Sequence, residues 1–260
     1  MSDDLPGLGE LAAAAARISG AFHDIHGHRV TIDPRFARTL PALALIYGWT
    51  QQAFLYGRAA IPLVRDGDRA AVPLVRESFE CGVRVQWMRW VSGSDIAMLR
   101  NDARTRRSLA DAVSKLPNYP DFQESAAALI AQADENDEAA AGLSAPSRLP
   151  DDFQSVCGYF DQGDELYLYY RLLSLEAHPN ATSADSWLRL DADDCLVFRN
   201  PPPADALDAQ MLVMALTMAS TGLLDVLRTN KATRRFRNTI NSAASATGLL
   251  RTRLKPKVNS

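Results

Sequence analysis

Three polar residues in the segment 164–179 have the types and spacing that acid–base chemistry on a phosphodiester needs. Arg171, Ser174 and His178 are three and four residues apart, so on a helix they lie along one side. A planar guanidinium can hold a phosphate through parallel N–H donors, and an imidazole can accept or donate a proton near neutral pH. The alternative is structural: Arg171 pairs with a carboxylate elsewhere, and His178 stabilises the carbonyl end of the helix.

The segment that carries these residues is predicted to be a buried helix. Asp164 and Tyr167 extend the polar line towards its beginning. Because an unpaired polar group is costly to bury, such a line on a buried helix requires a partner or a ligand. Five leucines predict the burial: Leu166, Leu168, Leu172, Leu173 and Leu175.

A second segment supplies charges that could meet this line. Arg76, Glu80 and Arg84 follow one another at intervals of four residues, and Glu77 adds another carboxylate. If this ladder faces inwards, Glu80 is the predicted counter-charge of Arg171. If it faces solvent, each pair contributes only about 0.2–0.5 kcal/mol.

The C-terminal part of the chain is basic. Residues 226–260 contain nine Lys and Arg and no acid, so the net charge of −3 combines +9 here with −12 in residues 1–225. A basic segment on an acidic body suits nucleic-acid binding, for which Arg234, Arg235 and Arg237 are the candidates. A solvated helix face followed by a disordered tail is the alternative.

Three of the four histidines lie close together in the sequence FHDIHGHR. His23, His26 and His28 could supply imidazoles to zinc or iron, with Asp24 or His178 as a fourth ligand. The spacing matches no structural zinc motif, and a polar loop is the alternative. The sequence contains no P-loop, dinucleotide-binding, zincin or α/β-hydrolase motif, so no cofactor is expected.

Helical patterning dominates the elements that must position these residues. It predicts an all-α bundle with one small β-hairpin at 187–198, and a surface loop at 133–150. Pro41 and Pro62 are predicted to break or kink a long helix. The predicted helices cover 8–22, 36–64, 69–91, 96–116, 120–134, 152–159, 164–179, 204–228 and 231–250.

The sequence predicts one domain and a basic C-terminal segment. Residues 1–228 are predicted to form a single helical domain with its core at about 40–228, followed by a basic helix and tail at 229–260. The hydrophobic fraction of 47% in 260 residues is ample for such a core.

Composition also indicates a compartment. Cys81, Cys157 and Cys195 are odd in number and widely spaced, which argues against a disulfide framework and favours a reducing cytoplasm. The N-terminus lacks the basic and apolar regions of a signal peptide. The uncharged runs at 39–57 and 211–224 are too polar or too short to predict membrane spans. A cytoplasmic location without a membrane partner is therefore expected.

Two of these segments together resemble a known family. The sequences RESFE (76–80) and RLLSLEAHPN (171–180) resemble a broad, uncharacterised bacterial family of helical domains. Its hallmark is an Arg-x-x-x-Glu helix followed, about a hundred residues later, by a Ser-x-x-x-His-Pro helix end. The resemblance covers roughly residues 40–228 and implies a helical fold but no particular activity.

Arg171-x6-His178 is also similar to the Arg-x4–6-His motif of HEPN domains. HEPN domains are all-α bundles, often dimeric, and many are metal-independent ribonucleases of toxin and antiphage systems. This resemblance implies that Arg171 orients the scissile phosphate and that His178 is the general acid/base acting on a 2′-hydroxyl. It therefore implies RNA as a partner and a homodimer as the assembly. The alternative function is a non-catalytic helical interaction or sensor module whose Arg, Ser, His and Glu residues form a structural network.

Overall fold

Helices make up nearly all of the structure. The computed structural model describes residues 6–25, 28, 31–33, 40–115, 120–141, 152–177, 188–190, 195–198, 203–247 and 254–257. Nine helices in these residues form a bundle, which confirms the predicted all-α class. They are α1 (Leu8–Asp24), α2 (Leu40–Arg65), α3 (Ala71–Trp90), α4 (Ser94–Ser114), α5 (Pro120–Ala140), α6 (Phe153–Cys157), α7 (Gly163–Ala177), α8 (Ala206–Val226) and α9 (Lys231–Ala246).

The centre of the bundle is the contact between α3 and α8, with α2 packed against both. Two glycines allow the close approach. A Cβ at Gly82 would lie 2.7 Å from the carbonyl oxygen of Ala215, and one at Gly222 would lie 2.5 Å from Cγ1 of Val85. Larger side chains at these positions would push the two helices apart, because the interior is close-packed.

A buried ion pair joins α3 and α8 near their C-terminal ends. Nη2 of Arg89 lies 2.8 Å from Oδ2 of Asp225, and the two side chains are only 3% and 7% exposed. Removing one partner would leave a buried charge, which typically costs about 3–5 kcal/mol. This pair therefore fixes the relative position of the two central helices.

Most side chains of α8 are apolar, as expected of a helix that other helices surround. It is long and hydrophobic enough to cross a membrane, and it is the one such helix in the part of the chain described. However, 83% of its most hydrophobic stretch is buried inside the bundle, as befits a core helix. It begins at a capping box in which Asp205 and Asp208 each accept a hydrogen bond from the other's backbone N–H.

The basic helix α9 belongs to the same core. Phe22 of α1 stacks on Phe54 of α2 with ring centroids 3.9 Å apart, and it lies 6.0 Å from Phe236 of α9. Phe236 and Ile240 are each 1% exposed. The apolar face of α9 is therefore covered by α1 and α8, and only its charged face meets solvent.

Part of the C-terminal segment is also fixed against the bundle. The backbone of Lys255 accepts a hydrogen bond from Asp161, and Lys257 donates one to Tyr159, just before α7. Leu254 is buried in the main core. For residues 254–257, the alternative of a disordered tail is therefore wrong.

α4 and α5 form an antiparallel pair whose contacts correct the predicted loop at 133–150. α5 continues to Ala140 because its last turns pair with α4. Arg107 contacts Asp134 at 2.8 Å and Asp137 at 2.6 Å. Residues 142–150, the remainder of that prediction, lie outside the described residues.

α2 runs through Pro62 to Arg65, so Pro62 does not break the helix, and Pro41 lies in the first turn, where a missing N–H costs little. Short strands β1 (Leu188–Leu190) and β2 (Leu196–Phe198) pair antiparallel. The residues between them, 191–194, are outside the described part of the chain.

Candidate functional site

The helix that carries the predicted polar line, α7, is only half buried. Leu166 and Leu173 are buried against the core. Leu168, Leu172 and Leu175 are 54%, 41% and 49% exposed, so the prediction of a buried helix is wrong for its outer side. The reason is that α7 packs mainly on α3 and the short α6, which cover one face of it. We call the three exposed leucines the leucine stripe.

The polar line itself follows the border between the buried and exposed faces of α7. Asp164 and Arg171 are exposed, whereas Tyr167 and Ser174 are partly buried. Tyr167 lies beside Tyr170, with ring centroids 6.3 Å apart. The inner members of the line therefore contact protein, and the outer members face solvent.

Arg76 of α3 is the residue that connects α3 to this line. Its Nε donates to Oγ of Ser174 at 2.9 Å, and its Nη2 donates to the hydroxyl of Tyr170 at 2.6 Å. Its Nη1 donates to Glu77 at 2.5 Å. The guanidinium carbon lies 4.9 Å from the centre of the Tyr170 ring. With only 15% of its side chain exposed, Arg76 is mostly buried and braces α3 against α7.

Glu80 completes this network, but not with the predicted partner. Oε1 of Glu80 accepts hydrogen bonds from Nε and Nη2 of Arg84, at 2.9 and 2.7 Å. Its Oε2 lies 3.9 Å from Nη2 of Arg76. The predicted Glu80–Arg171 ion pair is therefore wrong. The two arginines and two glutamates of α3 neutralise one another, and Arg171 of α7 does not take part in this network.

A second cross-link holds the C-terminal half of α7. Arg69, just before α3, lies 2.9 Å from Glu176 of α7. Arg171 lies between the two cross-links on the exposed side, and it forms no ion pair or side-chain hydrogen bond with any residue that the structure describes. His178 follows the last residue of α7 and lies outside the described residues. Its position relative to Arg171 thus stays a prediction.

The basic candidates of the C-terminal helix separate into two groups. Arg234 and Arg235 are exposed on α9. Arg237 instead turns towards α8, where it donates to the carbonyl of Leu224 at 3.2 Å and lies 3.6 Å from Asp225. Arg237 thus adds to the buried ion pair of the core and is a weaker candidate for binding nucleic acid.

Two cations that the sequence did not single out complete the basic surface. Arg17 of α1 and Lys231 of α9 line the same cavity as Arg234 and Arg235. Arg17 is more than two hundred positions away in the sequence and carries no motif, so only the α1–α9 contact could reveal it.

The structure gives no support to a metal site at the predicted histidines. His23 lines a cavity of about 270 Å³ between α1 and α2, together with Ser19, Gln51 and Arg58. His28 lines a different cavity, and His26 lies outside the described residues. Among the residues described, no three His, Cys, Asp or Glu side chains come together as metal ligands would.

Among the described residues, burial raises the pKa of three ionisable groups markedly. Burial raises the pKa of the Cys81 and Cys157 thiols to about 12, so neither is suited to be a nucleophile. Burial also raises the pKa of Asp208 to about 6, and the nearby carboxylates of Asp205 and Glu176 act in the same direction. The hydrogen bond that Asp208 accepts from the backbone N–H of Asp205 opposes this rise in pKa.

The fold and this geometry define an all-helical bundle with a braced α3–α7 pair and an exposed arginine. Comparisons with protein-family models, with curated proteins and with solved structures give no match to this chain. The function must therefore be argued from the residues themselves.

Proposed function

We propose that this is a HEPN-like, RNA-acting protein of a toxin or antiphage defence system that cleaves RNA without a metal ion. The observation that carries the proposal is the position of Arg171. Its guanidinium is exposed on a helix that two cross-links hold in place, and no described carboxylate neutralises it. A guanidinium in this situation is suited to bind a phosphate through two parallel N–H groups.

In the proposed reaction, His178 takes the proton of a ribose 2′-hydroxyl, and the resulting oxygen attacks the adjacent phosphorus. The bond between phosphorus and the 5′-oxygen breaks, which leaves a 2′,3′-cyclic phosphate on one product. The 5′-oxygen takes a proton from water and becomes the hydroxyl of the other product. Arg171 stabilises the negative charge that develops on the phosphoryl oxygens. The role of His178 rests on the HEPN resemblance.

The test is cleavage of single-stranded RNA in the presence of EDTA. Wild type is compared with Arg171→Ala and His178→Ala, and with Arg100→Ala as a control, because Arg100 is an exposed arginine on α4. We expect Arg171→Ala and His178→Ala each to lower the rate at least about a hundredfold, the usual contribution of general acid–base catalysis, while the control keeps full activity. Equal activity in all four proteins would refute the proposal.

A homodimer through α7 forms part of the proposal. The leucine stripe is an exposed apolar row beside Arg171, and an antiparallel pair of α7 helices would bury it in both copies. Such a dimer would also bring the two Arg171 side chains close to one surface, where one RNA strand could meet both.

A second candidate function is favoured by the network on α3. Arg76, Glu77, Glu80 and Arg84 balance in charge and find their partners within the protein, as expected of a structural brace. The chain would then be a non-catalytic interaction or sensor module. RNA cleavage by wild type that Arg171→Ala and His178→Ala each abolish would exclude this alternative.

A further inference from the structure

The seam between α1 and α9 contains a cavity of about 500 Å³ with an unusually positive lining. Arg17, Lys231, Arg234 and Arg235 all line it, and each of them is exposed. None of the four forms an ion pair with a residue in the described ranges. We call this surface the basic groove. Four cations that repel one another across a shared cavity favour binding of a polyanion.

A second cavity, of about 470 Å³, lies directly beside the basic groove, and Lys231 and Arg235 line both. Its lining includes the partly exposed Ala21 and Ala232, with the nearly buried Ile25 and Phe236 behind them. We call it the ring pocket. Its size and its partly apolar lining suit a flat ring, and Lys231 and Arg235, which line both cavities, could contact a phosphate attached to that ring.

The carboxylate of Asp24 indicates which cavity would hold the base of a nucleotide and which its phosphate. Asp24 lines the ring pocket and is exposed, whereas none of the described residues that line the basic groove is an acid. A carboxylate repels a phosphate but accepts hydrogen bonds from the N–H groups of a base. The phosphate is therefore expected in the basic groove and the base in the ring pocket.

We propose that the basic groove binds the phosphates of single-stranded RNA and that the ring pocket takes one of its bases. The choice of RNA as the polyanion rests on the proposed function. The site lies on α1 and α9, apart from Arg171, so it would hold the strand rather than cleave it. Arg17 and Lys231 join Arg234 and Arg235 as phosphate ligands, and Arg237 has no part in this groove.

An acidic membrane is the other polyanion that a basic helix could meet, and the packing of α9 argues against it. An interfacial helix inserts its apolar face into lipid. The apolar face of α9 is instead occupied, since Phe236 and Ile240 are each 1% exposed in the core.

The test uses the whole chain carrying His178→Ala, so that RNA is not cleaved during the measurement. Binding of a fluorescein-labelled single-stranded RNA of mixed sequence is followed by anisotropy from about 50 to 200 mM salt. Four phosphate contacts on a single strand predict a slope of log K against log salt of roughly −3. A slope near zero would overturn the proposal.

Charge reversal locates the site. We expect Arg17→Glu with Arg235→Glu to weaken binding at least about tenfold and to flatten the slope by roughly 1.4, the value for two contacts. Arg100→Glu is the matched reversal outside the groove and should change binding less than about twofold. Arg17→Ala with Arg235→Ala repeats the test if the reversed protein unfolds. Unchanged binding in the folded double variant would overturn the proposal.

Two other probes separate the alternatives. Inorganic polyphosphate should compete less well than RNA of equal charge, and equal competition would remove the ring pocket from the proposal. Binding to phosphatidylserine vesicles without binding to RNA would overturn it in favour of a membrane.

The outcomes also separate this site from the cleavage reaction. RNA binding that depends on Arg17 and Arg235 supports the groove even if wild type cleaves no RNA. Cleavage by wild type, with binding and rate both unchanged by the reversal, removes the groove and leaves the proposed function intact.

Discussion

Arg76 donates from Nε to the hydroxyl oxygen of Ser174 at 2.9 Å, across 98 positions of the sequence. This bond turns Ser174 towards α3, away from the exposed side of α7 where Arg171 lies. The same guanidinium also holds Tyr170, so a single side chain fixes two consecutive turns of α7. The polar line of α7 is therefore divided: its inner half braces the fold, and its outer half is available to a ligand.

The brace has a measurable effect on stability. We expect Arg76→Ala to lower the free energy of unfolding by about 2–3 kcal/mol, because it removes a mostly buried charge and leaves its acceptors without that donor. In a chain of this size the melting temperature should fall by about 5–10 °C. Arg171→Ala is the control, since that residue is exposed and should change the free energy by less than about 0.5 kcal/mol. Equal melting temperatures for the two variants would contradict the brace.

Ser174 is expected to affect stability but not chemistry. Ser174→Ala removes one hydrogen bond to a charged donor and should cost about 1–2 kcal/mol. Each single variant loses the same hydrogen bond. The double variant Arg76→Ala/Ser174→Ala should therefore be destabilised by about 1 kcal/mol less than the sum of the two single variants. The rate of RNA cleavage below the melting transition should be unchanged. If Ser174→Ala instead cleaves RNA about a hundredfold more slowly and keeps normal stability, Ser174 belongs among the catalytic residues.

Periodicity predicted the helices because each buries one face against a neighbour, and α3, α7 and α8 are found within a few residues of their predicted bounds. The end of α5 was missed because it depends on contacts with another helix: Arg107 of α4 holds Asp134 and Asp137 in a segment whose composition suits a loop.

The candidate site was predictable in its residue types but not in its pairing. The spacing of Arg76, Glu80 and Arg84 correctly indicated a charge ladder. Which cation meets which carboxylate depends on helix rotation, and a shift of one residue turns a side chain by about 100°. That rotation places Ser174 against Arg76 and leaves Arg171 in solvent.

The three cysteines should differ sharply in reactivity. At pH 8, a thiol with a pKa of about 12 is ionised in roughly one molecule in ten thousand, so Cys81 and Cys157 should react slowly. Cys195 is exposed. We expect Ellman's reagent to titrate one thiol rapidly in the native protein and three after denaturation. Cys195→Ser should abolish the rapid phase, and a remaining rapid thiol in that variant would contradict the burial of the other two.

The leucine stripe provides a test of assembly. Leu172→Glu places a charge at the middle of the stripe and should convert a dimer into a monomer, as measured by light scattering after gel filtration. Leu109→Glu, on the exposed side of α4, is the matched control because its side chain is 50% exposed. A wild-type protein that is monomeric at high concentration, or a dimer that survives Leu172→Glu, would argue against association through α7.

The carboxyl of Asp208 should make stability depend on pH in the direction opposite to that of a salt-bridged acid. Burial raises its pKa to about 6 in the folded protein, from the ordinary value of 3.8. Above pH 6 the group is charged in both states, and the folded state bears the cost of the buried charge. As the pH falls from 6 to 4, the folded protein takes up the proton first, so the contribution of this carboxyl to the free energy of unfolding becomes more favourable.

Asp208→Asn keeps an oxygen that can accept a hydrogen bond from the Asp205 N–H. We therefore expect it to raise the melting temperature at pH 8 by about 3–6 °C, with a gain that disappears near pH 4. Asp161→Asn, at an exposed aspartate, should show no such change between the two pH values. A loss of stability at pH 8 would instead show that the ionised carboxylate is needed to cap α8.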